Sequence, residues 1–468
     1  MPSTPRTTIP GMTEPEPTPA RGFTVSAALA GSGLLLLGVS AAVYLVLSAR
    51  MVGAEQFSAI AVLWTLVYTA GIGLFLPFEQ ELGRSATLTL ATGRRLGPLV
   101  RHAGVQTVLV LSGLTVVVVA LMMVDTLREA LFDDSWWFAL ALLVAAAGLA
   151  VQYLQRGVFS ATGRFAAYGG QQGAEGAFRI VTCVVLVLAD VHDPLAYAAV
   201  LALSPWLAAL AVLPALGGAV PRGAQVDLSG SVPHEPSAPV DPVAADEDDP
   251  GIGWLITATL ASQALANLAA PAVRLMSSPD QQEAAGSFLS GLTIARIPLL
   301  LYAAVQAVLL PRLVRARHEG DAEGFARQLG AVLGATLAIG VLGVVGVAVA
   351  GPWALGLLFG PEFDLPRIDL VLLAVSAGLL MLALALHSAA VALDGHHWVA
   401  LAWVLGVVAF LVALALPGSV YLRAELALLV GATCVVLLLG VRLVSDPAAG
   451  VHGLRRTGHT ARRQGAGG

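Results

Sequence analysis

The chain has 468 residues, 57% of them hydrophobic and 12% charged, with a mean hydropathy of +0.82. About 25% charged residues is usual for a soluble globular domain, so this composition excludes one. The formal net charge is −5 and every basic residue is Arg. Both cysteines, Cys183 and Cys434, fall inside apolar stretches, which excludes a disulfide framework.

Residues 1–22 are rich in Pro and Thr and are expected to form a disordered cytoplasmic amino terminus. Apolar runs then recur, each long enough to cross a hydrocarbon core of about 30 Å. The predicted spans are 23–48, 57–83, 103–124, 136–158, 166–189 and 194–216, then 252–276, 286–310, 329–350, 368–390, 398–416 and 423–444. Helices are expected, because lipid offers backbone groups no partner and these runs lack the alternation of a barrel strand. The predicted fold is therefore all-α and polytopic, with twelve transmembrane helices in two six-helix lobes, 23–216 and 251–445. Between the lobes, 217–250 is rich in Pro, Gly and small residues and ends in Asp246-Glu247-Asp248-Asp249, the composition of a disordered acidic linker. Residues 446–468 form a basic tail.

Arginine placement orients this arrangement. With a cytoplasmic amino terminus, eighteen arginines fall inside, five outside and two within spans, a strong positive-inside bias. Both termini and the linker are then cytoplasmic. The halves also repeat in spacing. Phe23 precedes the basic residue Arg84 by 61 positions, and Ile252 precedes Arg312 by 60. Each half has a short outside turn before a Phe, at Gly53–Phe57 and Ala284–Phe288. Repeat-built transporters bind substrate at the interface between repeats.

Three stretches carry a resemblance to a known family: Gly53–Arg84 (GAEQFSAIAVLWTLVYTAGIGLFLPFEQELGR), Leu292–Leu329 (with its Arg-Ile-Pro) and Gly351–Phe363 (GPWALGLLFGPEF). They resemble the multidrug/oligosaccharidyl-lipid/polysaccharide (MOP) exporter superfamily, specifically its bacterial polysaccharide-biosynthesis flippases. The resemblance implies two lobes in a V around a central cavity that opens alternately to each membrane face. It also implies a lipid-linked, pyrophosphate-bearing saccharide as cargo, moved across a bacterial cytoplasmic membrane among lipids and polysaccharide-assembly proteins. Some drug exporters of the superfamily use a carboxylate in the first span for cation coupling, and this chain has none there.

Charges within a bilayer are costly and usually face a cavity or a partner. Arg296, ten residues into the eighth span, is either a cavity guanidinium able to clamp a phosphate or a helix-packing residue. Arg179 follows Glu175 by one turn, the spacing of a self-neutralising helical pair. Gln263, Asn267 and Arg274 share one face of the seventh span, lining a cavity or a helix interface, although Arg274 could instead snorkel to the surface. Glu79, Glu81 and Arg84 close the second span in what reads as a capping, solvated role. His396 and His397 read as loop residues, and no metal or other cofactor is expected. No GxxxxGK loop occurs, so the chain does not itself hydrolyse ATP, and the short Leu127–Ser135 segment with Asp133-Asp134 is too small for a glycosyltransferase site. No enzymatic activity and no nucleic-acid partner are expected. The leading expectation is a flippase for a lipid-linked oligosaccharide; an exporter of small amphipathic compounds and a non-transporting scaffold are the alternatives.

Overall fold

Alternating glycines and long aliphatic side chains in the first apolar runs give helices that approach one another closely through their small residues. The computed structural model describes residues 20–217, 252–278, 281–299, 302, 321–393 and 395–445. The expected disordered terminus up to residue 19, the linker beyond Gly217, the basic loop at Arg312 and the tail lie outside these residues. The described residues form helices and no strands.

In the first half, α1 spans Ala20–Ala70, a π-helical turn Gly71–Phe75, and α2 Leu76–Ala91. Then come α3 Gly97–Met122, α4 Asp125–Phe132, α5 Trp136–Ala161, α6 Phe165–Leu188, α7 Pro194–Ala211 and α8 Leu213–Gly217. The second half has α9 Ile252–Asn267, α10 Ala269–Met276, α11 Gln282–Ala295, α12 Ala322–Leu358, α13 Arg367–Ala392, α14 His396–Leu414 and α15 Val420–Ser445. Eleven predicted spans are recovered as helix, and α11 supplies the first part of the eighth.

Two of the spans are joined where turns were expected. α1 runs through the first predicted span and into the second, which the π-turn and α2 complete, and its one break is at Gly53, whose φ of 80° and ψ of 168° depart from helical values. Glycine carries that positive φ without a Cβ penalty. The seventh span is instead broken, with α9 and α10 meeting at 49° after Asn267. Gln263 and Asn267 therefore share a face, but Arg274 lies beyond the bend and not on one straight stripe with them.

Large apolar side chains such as Leu109, Val116, Leu342 and Val349 are more than 60% exposed, whereas the polar residues of α6 are buried. This inversion of the soluble pattern is what lipid selects, since the solvent outside is as apolar as Leu. α6 shows it most clearly: Gln171, Gln172, Glu175 and Arg179 point inward, and Val181, Val185 and Leu188 point out. Several helices thus face lipid with long apolar surfaces, and the chain is a multi-pass membrane protein.

The tightest helix pairing in the first lobe is α1 on α6. A Cβ at Gly33 would overlap the Gly169 carbonyl, and one at Gly176 would lie 2.9 Å from the Leu36 carbonyl oxygen. Substituting Gly33→Val should therefore destabilise this lobe by about 1–3 kcal/mol, the usual cost of overpacking. A lower thermal midpoint in detergent, read by fluorescence-detected size exclusion, checks it; an unchanged midpoint would show that the two backbones can separate freely.

Candidate functional site

Four arginines in or beside the spans set the polar geometry, and the structure gives them different partners. Arg179 is fully buried, as the Glu175 spacing on α6 anticipated: it donates to the Glu175 carboxylate and, at 3.1 Å, to Ser40 Oγ on α1. Its guanidinium also lies 5.3 Å from the Trp64 ring centroid and 6.0 Å from that of Tyr68. The pair therefore joins α6 to both halves of α1 and is neutralised within the lobe.

Arg156, one of the arginines counted on the inside, is a second buried cation. It forms an ion pair with Glu79 at 3.1 Å and lies 4.0 Å over the Tyr153 ring, while Tyr168 donates to Glu79 at 2.8 Å. Glu79 is therefore not a solvated capping residue. Its neighbour Glu81 does pair with Arg84, at 3.1 Å on the exposed side of α2. Sequence reasoning grouped Glu79 with Glu81 because they are two residues apart, yet that separation turns them to nearly opposite helix faces. Breaking a buried pair by removing one partner typically costs about 3–5 kcal/mol. Arg156→Ala should lower the thermal midpoint sharply and Arg84→Ala should not, as measured on the two purified variants.

Arg274 does not snorkel. It is buried and donates to Asp133, which follows α4 in a left-handed conformation with φ of 55°. The Leu127–Ser135 segment is thus largely a helix, and its acid clasps the second lobe. Around this ion pair the lobes meet again. Arg50 on α1 donates to the last carbonyls of α12, those of Leu357 and, at 2.6 Å, Leu358. That is favourable both as a cap and against the negative end of the helix dipole. Phe57 packs on Phe359 and Phe363 with ring centroids 6.0 and 5.9 Å apart. Gly286 approaches Ala54 so closely that a Cβ would overlap the Ala54 carbonyl. These contacts latch the two lobes together at one end of the molecule.

Directly beneath the latch lies a cavity of about 260 Å³ between the lobes. Gly38, Ala42, Trp64 and Thr65 line it from the first lobe, and Ala270, Thr293 and Arg296 from the second, with Phe359 between it and the latch. Arg296 is the one charged side chain among its lining residues. It follows the end of α11, donates at 3.3 Å to Asn267 Oδ1, and donates to the Ala266 carbonyl. Asn267 in turn donates to the Gln263 backbone carbonyl at 3.0 Å, so the polar stripe on α9 holds the guanidinium in place. No carboxylate pairs with Arg296 among the described residues. Of the predicted site residues, Arg296 lines this cavity and Asn267 and Gln263 stand behind it in one hydrogen-bonded chain, while Glu175 with Arg179 form a structural pair and Arg274 belongs to the latch. His396 and His397 begin α14 and are not loop residues. No cluster of three or more metal-ligating side chains occurs among the described residues.

No protein-family model matches the chain. Its sequence is 26% identical over 427 residues to the uncharacterized protein Rv1510 of Mycobacterium tuberculosis, covering 88% of this chain and 90% of that protein. It is 27% identical over 435 residues to the uncharacterized protein Rv3630 of the same organism, covering 89% and 93%. Among solved structures, an inward-facing multidrug resistance MATE family transporter of the MOP superfamily superposes with a TM-score of 0.61 at 13% identity, covering 92% of this chain and 96% of that one. A point mutant of the Vibrio cholerae MATE transporter VcmN gives 0.59 at 14% identity, covering 91% and 99%. The chain has the MATE fold. In that fold twelve helices make two lobes, the division that the six-plus-six span pattern anticipated.

The latch gives a direct test. Reversing one charge, Arg274→Asp, sets two carboxylates against each other at the seam and should separate the lobes at that end. The double change Asp133→Arg with Arg274→Asp should restore the closure. Accessibility of a cysteine at Ala54 to a bulky thiol reagent should rise in the single variant and return to the wild-type value in the double one.

Proposed function

We propose that this protein is an exporter that carries an amphipathic anion across a bacterial cytoplasmic membrane by rocking its two lobes about the cavity. The cargo class that fits best is a lipid-linked oligosaccharide, a precursor of a cell-envelope polysaccharide. The observation that carries this is Arg296, without a carboxylate partner among the described residues, in a mostly apolar interlobe cavity. A guanidinium desolvated in this way gains most from a phosphate or pyrophosphate, which accepts two parallel hydrogen bonds. The apolar walls, rich in Ala, Leu and Ile, suit the first isoprene units of a lipid carrier, and the saccharide would extend beyond the cavity. Membrane lipids and polysaccharide-assembly proteins are the partners this role calls for.

The positive-inside bias supports cytoplasmic termini. The latched end then faces the exterior, and the conformation corresponds to a carrier closed to the outside. One of the solved MATE structures that superposes on the chain was captured inward-facing. The second reading, an exporter of small amphipathic compounds, draws on the multidrug description of that same transporter. A cationic drug fits poorly, since Arg296 would repel it and the first span supplies no carboxylate.

Arg296 separates these roles from a packing one. Arg296→Ala removes a residue that costs roughly 2.5–3.5 kcal/mol on membrane-insertion scales, so the variant should reach the membrane at the normal level. Export should fall by tenfold or more, and Arg296→Lys should rescue it poorly because the bidentate fork is lost. The measurement is protein level in the membrane alongside surface polysaccharide in the native host. Loss of the folded protein in both variants would make Arg296 a structural residue, and normal export in both would remove it from the site.

A further inference from the structure

The interlobe cavity is walled mostly by hydrocarbon, so its few polar side-chain atoms decide what it can hold. Four lining side chains carry one: Trp64 and Thr65 on α1, Thr293 on α11, and Arg296 just beyond the end of α11. Both threonines spend their hydroxyl hydrogens on their own helices. Thr65 donates to the Val62 carbonyl at 2.8 Å and Thr293 to that of Leu289 at 3.0 Å. Arg296 commits two of its five N–H donors, to Asn267 and to the Ala266 carbonyl, and keeps the rest. The remaining donor is the indole of Trp64.

That indole N–H has no acceptor among the described residues, which sets it apart from the other tryptophans. Of the eight in the chain, Trp136, Trp137, Trp254, Trp353 and Trp398 are exposed. Trp206 donates to the Val144 carbonyl at 2.8 Å, and Trp403 to His387 Nδ1 at 2.9 Å. A buried indole N–H ordinarily finds such a partner, because an unpaired donor in apolar surroundings is costly. Trp64 is partly buried and unpaired, and it stands at the cavity.

The ring is held in place from within the first lobe. The Tyr44 and Tyr68 rings lie 5.2 and 4.4 Å from it between centroids, the first stacked at 24°. Tyr44 is itself anchored, its hydroxyl donating to the Tyr197 carbonyl at 3.0 Å. The Arg179 guanidinium, paired with Glu175, packs 5.3 Å from the same ring. The two sources of uncommitted donors thus sit on opposite lobes, Trp64 on the first and Arg296 on the second. No lining side chain bears a carboxylate or an amide. Such walls offer hydrogen bonds and accept few, which favours a ligand group made of acceptors and disfavours an amine.

We propose that Trp64 is a specificity-determining residue of the cavity, its indole N–H donating to a phosphoryl oxygen of the cargo while Arg296 holds the others. The anion then bridges the lobes, gripped by a neutral donor on one side and a cation on the other. A phosphate or pyrophosphate ester has enough acceptor oxygens for both, and an alcohol or amine on the same lipid chain does not. This assignment rests on the exporter reading above, which makes the cavity the cargo site.

The test uses the full-length protein in lipid nanodiscs, with a polyprenyl pyrophosphate as the probe. NMR of protein carrying isotope-labelled tryptophan identifies the Trp64 indole N–H as the resonance missing from Trp64→Phe and from Trp64→Tyr. That resonance should move downfield on adding the pyrophosphate and stay in place on adding the uncharged polyprenol. Trp64→Phe keeps an aromatic ring against Tyr44 and Tyr68 but loses the N–H. It should bind the probe about tenfold more weakly, the effect of one hydrogen bond to a charged group, at an unchanged thermal midpoint without ligand. Should the midpoint fall, the wild-type resonance decides the matter by itself. A resonance that ignores the pyrophosphate while the wild type binds it overturns the proposal. Binding that is lost in Arg296→Ala yet equal to wild type in Trp64→Phe overturns it too, and leaves the exporter reading standing. A wild type that shows no saturable binding would overturn both.

Discussion

A guanidinium cannot remain unpartnered in a hydrocarbon environment, and the fates of four arginines organise this protein. Arg156 and Arg179 are each neutralised by a glutamate within the first lobe, where they tie α5 to α2 and α6 to α1. Arg274 is neutralised by an aspartate of the other lobe, so its pairing exists only while the two lobes touch. Arg296 has an amide and a backbone carbonyl but, among the described residues, no acid. The first two make a rigid body, the third makes a contact that opening would break, and the fourth leaves a positive charge at the cavity. Rigid lobes, a reversible seal and a charged cavity on the seam are the parts an alternating-access carrier requires.

Much of this was legible in the sequence. The span pattern follows from chain length per turn and the obligation to satisfy backbone groups in lipid, and both are local. The Glu175–Arg179 pair was readable for the same reason, since both residues sit on one helix one turn apart. Arg296 stood out because no acid shared its helix, and Asn267 and Gln263 because they interrupted an apolar face. What could not be read were the pairings set by tertiary packing. Glu79 and Arg156 are 77 positions apart (156 − 79) and meet only because α2 packs on α5. Arg274 and Asp133 lie in different lobes, and a side chain near a span end that meets a partner is indistinguishable in sequence from one that snorkels. The bend after Asn267 has a local cause, because Pro271 lacks an N–H and its ring crowds the carbonyl four residues back, that of Asn267.

The latch and the cavity share Phe359, which lines the cavity and packs on Phe57 in the seal. Cargo entering beneath the seal would therefore press on the residues that hold it shut. Arg50 adds a contact of the same kind, because the α12 carbonyls it caps are those of Leu357 and Leu358, and Leu358 also lines the cavity. The cavity and the seam thus share side chains directly, which on the proposed function would link occupancy to closure without a longer path. The lipid-facing surfaces take no part; their Leu and Val side chains make the lobes soluble in the bilayer and leave them free to move as units.

The central claim is that the cavity cation recognises an anionic headgroup. Equilibrium binding of a radiolabelled polyprenyl pyrophosphate to the purified protein in nanodiscs tests it most directly, comparing wild type with Arg296→Ala and with Arg84→Ala as an exposed-charge control. The account predicts saturable binding that weakens by tenfold or more in Arg296→Ala, is unchanged in Arg84→Ala, and is competed by inorganic pyrophosphate but not by the uncharged polyprenol. Equal binding to wild type and Arg296→Ala, or equal competition by the uncharged alcohol, would contradict it.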